Sequence, residues 1–80
     1  NSKTRLQELT QSQFKEAPKS SVIDQLGPAH DTSFRVDVGF RGQKLGTGQG
    51  PSKKTASQDA AKVALKVVLE NPNILTEGMT

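Results

Sequence analysis

Three groups of residues in this 80-residue chain have the types and spacing to do chemistry. The first is the stretch Gly46-Thr47-Gly48-Gln49-Gly50-Pro51-Ser52-Lys53-Lys54. It is not a Walker A loop, because no Gly-Lys-Ser/Thr follows a four-residue gap. Nor is it a dinucleotide fingerprint, because it opens no parallel βαβ unit. What remains is flexible backbone leading into a helix that starts with two lysines. Unpaired N–H groups and the positive end of the helix dipole favour phosphate there, and Lys53 and Lys54 add two full charges. A glycine-rich loop before any capped helix would look similar, so the surrounding charge has to separate the two readings. Between Asp37 and Asp59 there is no acid, while Arg41, Lys44, Lys53 and Lys54 sum to +4. Concentrated positive charge suggests a polyanion partner, although a solvated surface of ordinary lysines would carry the same charge.

The second group is the one histidine, His30. A zinc site around it would need carboxylates as its other ligands, and none cluster nearby in the sequence. The third is the set of eight carboxylates, Glu8, Glu16, Asp24, Asp31, Asp37, Asp59, Glu70 and Glu77. Metal-assisted phosphodiester cleavage needs several acids gathered on one ion. These are scattered through the expected elements, and with one histidine and no cysteine no nucleophilic triad is credible. The segment therefore reads as non-catalytic, with no cofactor of its own.

These residues must be positioned by one small domain. Hydrophobic residues make up 31% of the chain and aromatics 4%, enough for one thin core and not for a deep cavity. No apolar run approaches the 18 residues of a membrane span. A small secreted domain would ordinarily need disulfides, so the absence of cysteine reads as intracellular, in nucleus or cytoplasm. A chain that opens on Asn1 reads as a segment of a longer protein.

The periodicity predicts helix, three strands, helix, tail. A first helix is expected from about Thr4 to Gln13. Leu6 and Leu9 fall on one side of it and Thr4, Gln7, Glu8 and Gln11 on the other. Ser20 to Leu26 reads as a strand centred on Val22 and Ile23, ended by Gly27-Pro28. Phe34, Val36, Val38 and Phe40 alternate with Arg35, Asp37, Gly39 and Arg41, the pattern of a half-buried strand. Arg41-Gly42 can turn a hairpin, and Gln43 to Thr47 returns as a third strand, with Gly46, Gly48, Gly50 and Pro51 expected to end the sheet. Ser52 is an N-cap for a helix from Lys53 to Glu70, stopped at Asn71-Pro72. Ala56, Ala60, Ala61, Val63, Ala64, Val67 and Val68 form its apolar arc. The fold class is α+β, α-β-β-β-α, with two helices packed on one face of a three-stranded antiparallel sheet in residues 1–70. Residues 71–80 read as a flexible C-terminal tail.

This order of motifs resembles the double-stranded-RNA-binding domain (dsRBD) family. The matching residues are Leu6-Gln7-Glu8-Leu9, Gly27-Pro28-Ala29-His30 followed by Phe34, Gly46-Thr47-Gly48-Gln49-Gly50, Ser52-Lys53-Lys54-Thr55-Ala56, and Ala60-Ala61 with Ala64-Leu65. Lys3-Thr4-Arg5-Leu6-Gln7-Glu8 and the stretch from Phe40 to Ser52 are most like the C-terminal domain of ribonuclease III-type enzymes.

The resemblance implies RNA binding in three places. Thr4, Gln7, Glu8 and Gln11 would face 2′-hydroxyls and base edges in a minor groove, with Glu8 accepting from a 2′-OH or a guanine amino group. Pro28, Ala29 and His30 would reach the next minor groove. Ser52, Lys53, Lys54 and Ser57 would meet the phosphates of the major groove between them. Recognition would be of A-form shape over about 16 base pairs, with little or no DNA binding. With three to four phosphates neutralised, the logarithmic salt slope would be near −3, at about −0.9 per phosphate.

The implied parent is a ribonuclease III-type endoribonuclease, with Mg2+ in a catalytic domain elsewhere and any homodimer formed through the parent protein. No membrane partner is implied. The alternatives are a dsRNA-binding adaptor without nuclease, and a domain of the same fold that has turned to protein interaction or dimerisation. Three residues depart from the family pattern. Ser57 stands where a third lysine is usual, Ser20 where the first strand usually starts with tyrosine, and Asp31 beside His30 weakens the local potential. Phe14 is expected to fill the tyrosine's space.

Overall fold

Strand β2 (Ser33–Phe40) lies at the centre of a three-stranded antiparallel sheet, between β1 (Lys19–Leu26) and β3 (Gln43–Gly50). In the computed structural model, which describes residues 1–74, helices α1 (Ser2–Phe14) and α2 (Lys53–Glu70) cover one face of that sheet. The alternation in β2 does what its pattern predicts: Val36, Val38 and Phe40 are buried and Arg35 is exposed. Residues 41 and 42 both take positive φ, 53° at Arg41 and 82° at Gly42, which matches the twist of the two flanking strands. A register shift follows at Val38/Gly39.

α1 starts two residues earlier than expected and ends one later. The Asn1 side chain accepts from the Thr4 N–H at 2.9 Å, and Lys15 closes the helix in the left-handed conformation, its N–H bonded to the Gln11 carbonyl. Thr10 is fully buried, a core position that its polarity concealed. Its hydroxyl donates back to the Leu6 and Gln7 carbonyls at 3.2 Å, so the buried oxygen is satisfied.

The largest departure concerns the glycines. Gly46, Gly48 and Gly50 do not end the sheet: β3 runs through all three, in extended backbone with no positive φ among them. Their missing side chains let α2 settle directly on the strand. A Cβ on Gly46 would lie 2.7 Å from the Ala64 nitrogen, one on Gly48 would fall onto the Ala60 nitrogen, and one on Gly50 would lie 2.9 Å from the Ala56 nitrogen. Two residues of strand advance about 6.7 Å and four residues of helix about 6 Å. A glycine at every second position of β3 therefore meets an alanine at every fourth position of α2, and the two rows form a continuous seam.

Of the apolar arc expected on α2, Ala56, Ala60, Ala61, Ala64 and Val68 are buried. Val67 is half-buried, but Val63 is 40% exposed, because the helix lies so close that the strand covers only a narrow stripe. β1 is exposed along its whole length, with Val22 and Ile23 each 48% exposed and a bulge between Val22 and Asp24. It lies beyond the cover of the helices, so its apolar centre does not mark core.

At the far end, Phe14 packs on Phe40 with ring centroids 5.5 Å apart. The Arg41 guanidinium lies 5.1 Å and 5.4 Å from the two ring centroids and pairs with Glu16 at 3.1 Å. This cluster ties the end of α1 to the hairpin. Beyond α2, the Ile74 N–H bonds the Asn71 carbonyl at 3.0 Å and its side chain packs against the core. The rest of the expected tail, residues 75–80, lies outside the described residues.

Candidate nucleic-acid interface

The four polar residues singled out on α1 emerge together. Thr4, Gln7, Glu8 and Gln11 are all exposed on one face, while Leu6 and Thr10 behind them are only 1% and 0% exposed. This polar face is thus fixed from below by a closed core contact.

Pro28, Ala29 and His30 are exposed in a short 3-10 turn, Ala29–Asp31, rather than an open loop. Gly27 enters it at φ 87°. The Asp31 N–H bonds the Pro28 carbonyl at 2.9 Å, and the Thr32 hydroxyl donates to the same carbonyl at 2.8 Å. Those bonds make His30 the tip of a braced turn.

At the start of α2 the Ser52 side chain accepts from the Thr55 N–H at 3.1 Å, and the Thr55 hydroxyl faces the Ser52 N–H at 3.0 Å. This reciprocal cap leaves the N–H groups of Lys53 and Lys54 without an acceptor among the described residues. Both side chains are exposed, the first turn holds no acid, and neither lysine makes an ion pair among the described residues. Ser57 lies half-buried. Ser52→Ala removes the cap, and about 1 kcal/mol of stability should go with it in urea unfolding.

The ends of the elements that carry these three groups adjoin. His30 and Pro51, the residue before the cap, line one depression. Asn1 and Ser2 share another with Thr55, Gln58, Asp59 and Lys62 of α2. The start of α2 therefore lies between the first turn of α1 on one side and the His30 turn on the other.

The +4 stretch does not converge on this place. Arg41 and Lys44 sit at the hairpin, a strand length of roughly 24 Å from Gly50. There they pair with Glu16 at 3.1 Å and Asp37 at 3.5 Å. Only Lys53 and Lys54 stand at the helix start. Proximity in sequence hid this, because β3 carries the chain from one end of the sheet to the other.

A family model described as the double-stranded RNA binding motif matches residues 2–68. The chain belongs to this family. Double-stranded RNA is thus the partner of this dsRNA-binding domain. Among its relatives is the "Ribonuclease 3" of Syntrophotalea carbinolica, 48% identical over 68 residues, which are 85% of this chain and 29% of the relative. The "Ribonuclease 3" proteins of Streptococcus pneumoniae strains Hungary19A-6 and CGSP14 are 48% identical over 69 residues, 86% of this chain and 30% of theirs. The chain spans about 30% of the length of the relatives it matches.

Two contacts within the dsRNA-binding domain are not legible in the sequence. The Lys53 ammonium lies 6.0 Å from the centroid of the Phe34 ring, a contact between residues 19 apart that no spacing rule finds. Asp59 accepts from the Gln49 N–H at 3.1 Å and so pins the helix to the open edge of β3. Among the described residues there is no group of three or more His, Cys, Asp and Glu side chains that could hold a metal ion. No helix among them is long and apolar enough to cross a membrane.

Proposed function

We propose that the domain grips an A-form RNA duplex by its shape and presents it to a ribonuclease III-type catalytic domain in a longer parent chain. The A-form major groove is too deep and narrow for side chains to read, so its phosphates and the shallow minor grooves on either side are what a flat surface can hold. The Lys53-Lys54 start of α2, free of acidic partners among the described residues and set between two polar surfaces, is the observation that carries this reading.

In this reading Thr4, Gln7, Glu8 and Gln11 take one minor groove. Pro28, Ala29 and His30 take the next, and Lys53, Lys54, Ser52 and Ser57 take the phosphates between. Ser52 serves mainly by shaping the helix start, since its side chain already caps it. Ser57 adds a hydroxyl without charge. DNA, which lacks the 2′-OH and the A-form width, binds poorly. The kinship to proteins named Ribonuclease 3 supports the nuclease parent. There, carboxylates outside this segment would hold Mg2+, and any homodimer would form through those other parts. The whole acts within the cell, in nucleus or cytoplasm.

Salt titration of duplex binding tests the phosphate grip. With two lysines engaged at about −0.9 each, the logarithmic slope should be near −2 rather than the roughly −3 expected for three to four neutralised phosphates. A flat response, or equal affinity for RNA and DNA duplexes of one sequence, would overturn the reading.

A further inference from the structure

We propose that Phe34 is a positioning residue for RNA binding: its ring holds the Lys53 ammonium beside the depression that the His30 turn shares with the start of α2. The inference rests on the reading of Lys53 as a phosphate ligand. The ammonium lies 6.0 Å from the ring centroid, at the outer reach of a cation–π contact. Phe34 itself is half-buried and packed against the core, so the ring is anchored. Opposite it in β3 stands Gly50, which has no side chain to set against the ring. His30, Phe34 and Pro51 line the same depression, so one ring touches the surroundings of two of the three binding elements.

A lysine is a flexible stem, and fixing it on a phosphate costs side-chain entropy. A ring that already favours the right region lowers that cost before the RNA arrives. Lys54 makes no ring contact among the described residues. The two neighbouring lysines are therefore unequal: Lys53 is pre-organised and Lys54 is not.

The test is a double-variant cycle on the 80-residue chain with a fully paired RNA duplex, with thermal unfolding followed in parallel. Phe34→Leu keeps an apolar side chain and removes the ring; it should weaken binding about two- to fivefold, the strength of an exposed cation–π contact. Combining it with Lys53→Gln should add nothing to the loss caused by Lys53→Gln alone, and Phe34→Tyr should restore full affinity. Unchanged binding by Phe34→Leu, or losses that multiply in the double variant, would overturn the proposal while leaving the phosphate reading standing. Full affinity in Lys53→Gln would instead overturn the phosphate reading, and this proposal with it. Should Phe34→Leu melt below the assay temperature, Phe34→Met fills the same gap and takes its place in the cycle.

Discussion

Gly48→Ala should cost this domain about 3 kcal/mol or more and lower its melting temperature by roughly 15 °C, a loss readable in a circular-dichroism melt. One methyl group has this effect because of what it meets. A Cβ at residue 48 runs into the Ala60 nitrogen, the Ala56 carbonyl oxygen and the Asp59 carbonyl carbon, all of them helix backbone. No rotamer change relieves the overlap; α2 has to lift away from β3. Lifting it parts the neighbouring contacts of Gly46 with Ala64 and Gly50 with Ala56, so the damage extends along the seam. A domain of this length has only about 4–12 kcal/mol in hand. Gly42→Ala is the control. Its Cβ would meet nothing within 4 Å, and only the positive φ of 82° opposes it, at about 1–2 kcal/mol. Equal melting temperatures for the two variants would refute the seam.

The double variant Lys53→Gln with Lys54→Gln should lose at least about thirtyfold in duplex affinity, taking about 1 kcal/mol for each exposed charge contact. Its salt slope should fall from about −2 toward zero. Glutamine keeps a polar stem one atom shorter, and neither lysine is paired to an acid among the described residues, so the melting temperature should hold. Arg41→Gln with Lys44→Gln removes the same formal charge from the same +4 stretch. It should leave the salt slope almost unchanged, because those two cations sit at the opposite end of β3, beside Glu16 and Asp37. Equal losses from the two double variants would mean that net charge, and not its placement, drives binding.

Much of this was readable from residue order. The alternation from Phe34 to Phe40, the Arg41-Gly42 turn and the Ser52 cap each depend on neighbours within a few residues, and all three stand where expected. The polar face of α1 was readable for the same reason, since a helix places its faces by local spacing alone. The glycines were misread because their role depends on a partner beyond the strand. An extended glycine and a flexible one are the same letter, and only the alanines at every fourth position of α2 distinguish them. Thr10 and the apolar centre of β1 were misjudged for a related reason: burial is decided by what lies above a residue. Four cations close in sequence look like one patch, yet β3 carries two of them to the far end of the sheet.

The seam also orders how the chain can close on itself. Gly50 meets Ala56 across six residues, Gly48 meets Ala60 across twelve, and Gly46 meets Ala64 across eighteen. Each doubling of an open loop adds only about 0.6 kcal/mol of closure entropy, and these loops are nested. Once the innermost pair touches, the next lies two strand residues and four helix residues away, already tethered. The teeth can therefore shut in sequence from the Pro51-Ser52 corner outward, with little entropy lost at each step. The same corner carries Lys53 and Lys54, so the proposed phosphate-binding element sits at the shortest loop of the seam.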